Sequence, residues 1–194
     1  MRIVAGKFRG KNLVKSDHLA SLRPTTDKNR QALFNILSSA KFISEIGFEI
    51  SGAEVLDLCC GTGAVGFEAL SRGAKAVTLI DNNLSHLEIV KKNAVILGVE
   101  KEAKILHLDA KKLPQNQAFF DLVFVDPPYA EDYGAIIENL YEKNWIKKTS
   151  LIVVEFEISG ELKNFHPKNF PLENLYLLDL RRYGKTAFAF LKVL

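Results

Sequence analysis

Three observations predict an α/β chain built on a doubly wound, mostly parallel sheet. Short apolar runs alternate with helical patterns from Glu54 onward. A glycine-rich loop, Gly61-Thr62-Gly63-Ala64-Val65-Gly66, joins the first run to the first helix of that series. The apolar run at residues 119–125 then stops at Asp126-Pro127-Pro128-Tyr129. A Phe- and Val-rich run of this length reads as a buried parallel strand. Two consecutive prolines cannot continue a ladder, so that strand ends at Asp126. A carboxylate, rigidly held carbonyls and an aromatic ring therefore gather at a strand's C-terminal edge, where open α/β sheets bind ligands.

The elements follow in order. Residues 1–15 alternate apolar and basic positions around Gly6 and Gly10, which predicts a small β-hairpin with a cationic face. In Leu22-Arg23-Pro24-Thr25-Thr26-Asp27, Pro24 biases Arg23 towards extended backbone. Thr25 or Thr26 then caps a helix, with Asp27 near its positive end. Leu33, Ile36, Leu37 and Ala40 give this helix an apolar stripe, and Lys28 and Arg30 sit near its exposed start. Residues 42–50 read as a second short helix or an approach segment. Strands are predicted at 55–58, 76–80, 105–108, 122–125 and 151–156, and helices at 64–71, 84–97 and 133–144, with Gly98 ending the second of these helices. Strand–helix–strand crossovers of this kind are right-handed and place helices on both faces. The last two strands, 175–180 and 187–193, are joined too tightly for a crossover and must form an antiparallel hairpin. The whole is one domain, with a basic arm at 1–25 and a catalytic core at 26–194.

Composition bounds the setting. The 194 residues are 47% apolar and 25% charged, a soluble globular balance with no run long enough to span a bilayer. Cys59 and Cys60 are adjacent, in no metal-ligand spacing, which points to a reducing cytoplasm and no structural disulfide. The N-terminus lacks an apolar leader segment. Residues 1–30 carry eight Lys or Arg against Asp17 and Asp27, a net +6, so the remainder of the +3 chain sums to −3. A basic arm on a near-neutral body predicts an anionic partner, nucleic acid first.

The loop Asp57-Leu58-Cys59-Cys60-Gly61-Thr62-Gly63 with Asp81 twenty residues after Gly61 has the spacing of a dinucleotide site. Asp57 argues against a pyrophosphate there, because its carboxylate would oppose that charge. A ligand with a cationic amine and a sulfonium favours such an acid instead, and S-adenosylmethionine carries both. Asp81 is placed for the ribose hydroxyls and Asp109, ending a further strand, for the adenine amino group. The candidate cofactor set is Asp57, Cys59, Gly61, Gly63, Asp81, Asn82, Asp109 and Ala110, with Thr25 and Thr26 from the preceding segment. No metal is expected. His18, His86, His107 and His166 read as surface or core residues.

Asp-Leu-x-x-Gly-x-Gly followed by Asp-Pro-Pro-Tyr resembles the class I methyltransferases that alkylate exocyclic amines. Met-Arg-Ile-Val-Ala-Gly-Lys-Phe-Arg-Gly, Leu-Arg-Pro-Thr-Thr-Asp-Lys-Asn-Arg-Gln-Ala-Leu-Phe-Asn-Ile-Leu and Arg-Arg-Tyr-Gly-Lys-Thr-Ala are similar to the RsmD family of bacterial 16S rRNA guanine-N2 methyltransferases. The resemblance covers nearly the whole chain. It implies a seven-stranded methyltransferase sheet with a small N-terminal hairpin, a monomer, and a substrate within a small-subunit particle. Cys59-Cys60 replace a Phe-Ala-like pair, and Asp81 stands where the family often has Glu.

The chemistry expected of the tetrapeptide follows from the acceptor. An aromatic amine is a poor nucleophile because its lone pair is delocalised into the ring. Asp126 and a proline carbonyl, that of Pro127, each accept one amine hydrogen and draw the nitrogen towards sp³ geometry, while Tyr129 stacks on the base and Pro128 completes the candidate catalytic set. Arg2, Lys7, Arg9, Lys11, Arg23 and Arg30, with Arg181, Arg182 and Lys185, are the candidate phosphate contacts, arranged as two jaws. Two alternatives stay open: a DNA adenine-N6 or cytosine-N4 methyltransferase, and a non-catalytic RNA-binding assembly factor of the same fold. A glutamine-N5 methyltransferase would have Asn where this chain has Asp126, and Asp57 and Asp126 speak against a nicotinamide oxidoreductase.

Overall fold

The computed structural model describes residues 1–15, 26–127, 132–158 and 175–193. Five strands, β1 (Glu54–Leu58), β2 (Ala76–Asp81), β3 (Ala103–His107), β4 (Phe120–Val125) and β5 (Ile146–Glu157), pair in parallel. With β6 (Leu175–Tyr183) and β7 (Thr186–Val193) they form a seven-stranded sheet of order β3-β2-β1-β4-β5-β7-β6. β7 is antiparallel to both β5 and β6, so β6 runs in the direction of β5. The β6–β7 turn consequently emerges at the C-terminal edge of the parallel strands, where Glu157 pairs with Thr186. The predicted architecture and terminal hairpin are both observed.

Helices α1 (Asp27–Ser39), α2 (Lys41–Glu45), α3 (Ala64–Ser71), α4 (Leu84–Leu97) and α5 (Tyr133–Glu142) cover two faces. Strand alternation sorts the core. Val55, Val77, Phe124, Val153 and Phe188 face one layer with Phe34 of α1, Phe67 of α3 and Val90 of α4. Leu56, Ile80, Val125 and Val154 face the other with Ile136, Ile137 and Leu140 of α5. Helix starts follow their caps: Thr26 accepts from Asn29 N at 3.1 Å, Asn83 from Ser85 N at 2.9 Å and Asp132 from Ala135 N at 3.1 Å. Gly98 ends α4 in the left-handed conformation, φ 70°. Among the described residues no helix is long and apolar enough to cross a membrane.

One local expectation is corrected. β5 begins five residues before the apolar run at 151–156, through Lys147 and Lys148, because Ser150 repairs an irregular register with β4. Its buried hydroxyl donates to Phe120 O at 2.6 Å and accepts from Lys147 N at 2.9 Å. The arm at 1–15 pairs antiparallel as the small hairpin expected, through the bridge of Arg2 with Asn12 and the bonds Ile3 N to Lys11 O at 3.0 Å, Gly10 N to Ile3 O at 2.9 Å and Leu13 N to Met1 O at 3.1 Å. Others of its amides reach α3 and α4: Val4 N and Ala5 N donate to the Glu68 carboxylate at 2.7 and 3.0 Å. Phe8 N donates to Ser71 Oγ at 2.9 Å and Val14 N to Asn93 Oδ1 at 2.7 Å. Ile3, Phe8 and Leu13 are buried by this docking. Gly6 permits it, since a Cβ there would lie 1.8 Å from Ser71 O.

Candidate active site

The strand order reverses between β1 and β4, which opens a crevice beyond their C-terminal ends. At the end of β1 the backbone turns through left-handed Cys59 (φ 62°), Gly61 (φ 54°) and Gly63 (φ 75°) before α3 starts. A Cβ on Gly66 would stand 2.8 Å from Val77 Cγ2 and 3.1 Å from Asp57 Oδ2, so glycine is what lets α3 lie on the sheet.

Asp57 is buried, 3% exposed, and its Oδ2 accepts from Gly66 N at 2.8 Å. Burial pushes its carboxyl up to about 7; the Gly66 bond opposes the shift, and Asp81 and Glu155 add to it. Asp57 thus anchors α3 beneath the crevice. Burial, with Asp57 and Asp81 nearby, also keeps the Cys60 thiol well above its usual range and therefore protonated.

Asp81 ends β2 with both oxygens engaged. Oδ2 accepts from Gly61 N at 2.9 Å, and Oδ1 accepts from Asn83 N at 2.9 Å and meets His86 Nδ1 at 3.1 Å. The His86 contact requires the proton on Nδ1, and it makes this buried histidine a brace for Asp81. Sequence reading missed that role; the signal was its position one turn into the helix that Asn83 caps. Asp109 is fixed by its own turn, Oδ1 accepting from Lys111 N at 2.9 Å.

Asp81 and Asp109 stand in the wall of an open cleft whose space, counted out to its mouth in solvent, is about 480 Å³. Of the predicted set, Cys59, Asp81, Asn82, Asp109, Ala110 and Pro127 line it; Ile80, Leu108, Lys111 and Ile136 complete the wall and were not singled out. The wall combines two carboxylates, Asp81 and Asp109, with the apolar Ile80, Leu108 and Ile136, a mixture that offers acceptors to hydroxyls and amines and apolar contact to a flat ring. Asp57, Gly61 and Gly63 shape the cleft without lining it. Thr26 is spent on the α1 cap and is absent from the cleft wall. Thr25, Arg23, Pro128 and Tyr129 lie outside the described residues. Among the described residues no group of three or more His, Cys, Asp and Glu is arranged to hold a metal.

Asp126 continues the β4 ladder, its N donating to Leu58 O at 3.3 Å. Pro127 is buried in the cleft wall, whereas Asp126 is exposed. The surrounding protein, then Glu155 and Asp57, hold the Asp126 carboxyl well above the usual carboxylate range. Its exposure weakens the first of these causes, and the two like charges remain.

The candidate cations separate into three places. Arg30 is fully buried, with Nε 3.5 Å from Glu68 Oε2, Nη2 2.9 Å from Asp27 Oδ1 and Nη2 donating to Arg2 O. It is enclosed by protein and removed from any phosphate, which corrects its assignment as an RNA contact. Lys7, Arg9 and Lys11 dock at the far ends of α3 and α4, away from the crevice. Lys7 N donates there to Ser71 O at 2.7 Å, Arg9 N to Gly6 O at 3.2 Å and Lys11 Nζ to Ile96 O at 3.4 Å. Arg2, Arg181, Arg182 and Lys185 are exposed at the crevice edge. Arg2 sits 3.7 Å from Asp27, and Arg181 Nε 2.7 Å from Asp179 Oδ2.

The family model described as "Conserved hypothetical protein 95" matches residues 1–192. The chain is 38% identical to the ribosomal RNA small subunit methyltransferase D of Haemophilus influenzae, covering 89% of this chain and 86% of that one. It is 36% identical to the enzyme of the same name from Escherichia coli K12, covering 89% and 82%. The solved structure of Escherichia coli yhhF superposes with a TM-score of 0.80 at 30% identity, over 100% of this chain and 97% of that one. With a match along nearly its full length and relatives this similar, the chain belongs to the Conserved hypothetical protein 95 family, that of the RsmD-type methyltransferases.

Proposed function

We propose that this protein transfers a methyl group from S-adenosylmethionine to the exocyclic N2 amine of a guanosine in 16S rRNA, within a small-subunit particle. The names of its relatives support the ribosomal RNA substrate. The observation that carries the chemistry is the shared wall: Pro127 lines the cleft that suits an adenosyl group, and Asp126, one residue before it, projects from the same strand end.

In this reading Asp81 receives the ribose hydroxyls, Asp109 the adenine amine, and Ile80, Leu108 and Ile136 the faces of the base. The bound sulfonium supplies an electrophilic methyl group. Asp126 accepts one hydrogen of the guanine amine and the Pro127 carbonyl the other, which turns the nitrogen lone pair out of conjugation. Tyr129 stacks on the base and Pro128 completes the catalytic set, as the tetrapeptide implies. Positive charge that builds on nitrogen is met by a carboxylate already in place. In the free protein the surrounding protein, then the Glu155 and Asp57 charges, hold the Asp126 carboxyl up, and amine donors favour its ionised form. Holding both reactants in line supplies much of the remaining acceleration. The basic arm at 1–25 and the core at 26–194 act as one cytoplasmic, monomeric unit.

The test is nucleoside mass spectrometry of small-subunit RNA incubated with the protein and the methyl donor. N2-methylguanosine is the expected product. Transfer to adenine, to cytosine or to no base at all contradicts the proposal.

A further inference from the structure

We infer that Glu155 is the residue that selects guanine over the other amino-bearing bases, by accepting the base's N1–H beside the amine held by Asp126. The inference rests on the guanine-N2 reading above. Parallel pairing places Val125 opposite Val154, so Asp126, the first residue past β4, stands beside Glu155, which is still within β5. Alternation puts both on the sheet face that carries Phe124 and Val153, and Asp57, opposite Phe124, shares that face. Neighbouring strands lie about 4.8 Å apart, so the two carboxylates can reach adjacent atoms of one flat ligand.

Like charges side by side destabilise a sheet. A ligand that presents donors in a row would meet both carboxylates. Guanine does so, with N1–H and the N2 amine on one edge. Adenine and cytosine each set a ring nitrogen lone pair beside the amine, and a carboxylate facing that lone pair would repel it. Asp126 alone is satisfied by an amine on any of the three bases. A second carboxylate next to it is satisfied only by guanine. Glu155 stands outside the adenosyl cleft, so its contribution falls on the acceptor base and leaves the methyl donor's binding untouched.

The test uses the full chain and small subunits carrying either guanine or 2-aminopurine at the nucleotide mapped as methylated. 2-Aminopurine keeps the N2 amine and has a lone pair at N1. The wild type is expected to prefer guanine by roughly 10²-fold or more in kcat/KM, since a site built around a donor rejects the analogue that lacks it. Glu155→Gln, whose amide both donates and accepts, is expected to narrow that ratio to about tenfold or less by losing activity on guanine and keeping or gaining it on 2-aminopurine. Glu155→Asp retains the carboxylate and is expected to retain the preference. Affinity for S-adenosylmethionine, by calorimetry, is expected to be unchanged in both variants. An unaltered ratio, or equal losses on the two bases, overturns the role of Glu155 while the guanine-N2 reading stands. A wild type that methylates adenine or cytosine removes that reading and the inference with it.

Discussion

Arg30 and Glu68 face each other with no exposure to solvent, the guanidinium Nε 3.5 Å from the carboxylate Oε2. Glu68 also accepts from Val4 N, Ala5 N and, at 2.8 Å, Arg72 Nε. One carboxylate thus fastens the N-terminal arm, α1 and α3 together. Breaking a buried pair strands its partner's charge, at about 3–5 kcal/mol. Glu68→Ala is expected to lose stability on that order by chemical denaturation, with the arm released to proteolysis. Glu68→Gln keeps an acceptor for the arm and is expected to lose less. A Glu68→Ala protein as stable as the parent contradicts this account of the pair.

Asp126 is the group the proposed chemistry leans on most. Asp126→Ala is expected to lower methyl transfer by roughly 10²-fold or more, the cost of removing one preorganised transition-state partner. Because Asp126 projects outside the adenosyl cleft, the variant should bind S-adenosylmethionine with near-parental affinity. Single-turnover transfer and calorimetry together check the two halves, and near-normal turnover would remove Asp126 from the mechanism.

Asp81 serves two masters, the loop at Gly61 and the proposed ribose. Asp81→Ala takes the acceptor from Gly61 N, Asn83 N and His86 at once. Hydrogen bonds to charged groups contribute about 1.5–3 kcal/mol, so cofactor affinity is expected to fall tenfold or more in calorimetry. Asp81→Asn retains an acceptor for the loop and should fall between. Unchanged affinity in Asp81→Ala would place the cofactor elsewhere.

Asp57 makes a pH prediction. Its carboxyl titrates at about 7 when folded, against 3.8 for an ordinary aspartate. The folded state therefore binds the proton more tightly, and stability falls as pH rises from about 4 to 7 and is level above that. At 1.36 kcal/mol per unit the loss from this group is on the order of 4 kcal/mol. Asp57→Asn, measured by denaturation across this range, is expected to flatten that slope. A variant with the parent's slope would show that another group sets it.

These cases show what the chain discloses before folding. The helices at 64–71 and 84–97 were legible to the residue because glycines and a capping asparagine bound them. The acids at 81, 109 and 126 were legible because each ends an apolar run. Arg30 was not: a charge near a helix start reads as solvated, and its partner Glu68 is 38 residues away on another helix. The arm read as a hairpin because its alternation is real; what the alternation did not disclose is that Val4 N and Ala5 N donate to Glu68. His86 carried a local signal, five residues after Asp81 in the turn that Asn83 caps, whereas Glu155 is brought beside Asp126 only by the pairing of β4 with β5.

The placement of cations turns the two-jaw picture into a sharper expectation. Arg181, Arg182 and Lys185 flank the β6–β7 turn at the crevice edge, whereas Lys7 and Arg9 lie by the far end of α3. A target base held at Asp126 brings its flanking phosphates to the first group and leaves the second distant. Each phosphate contact contributes about 0.9 to the slope of log affinity against log salt for a duplex and about 0.7 for a single strand. Replacing Arg181, Arg182 and Lys185 by alanine is expected to lower the slope of small-subunit RNA binding by about two to three, with weaker binding at every salt concentration. Replacing Lys7 and Arg9 should leave the slope within one contact of the parent. If the second pair moves the slope as far as the first three, the RNA path runs along α3, and the edge-centred placement is wrong.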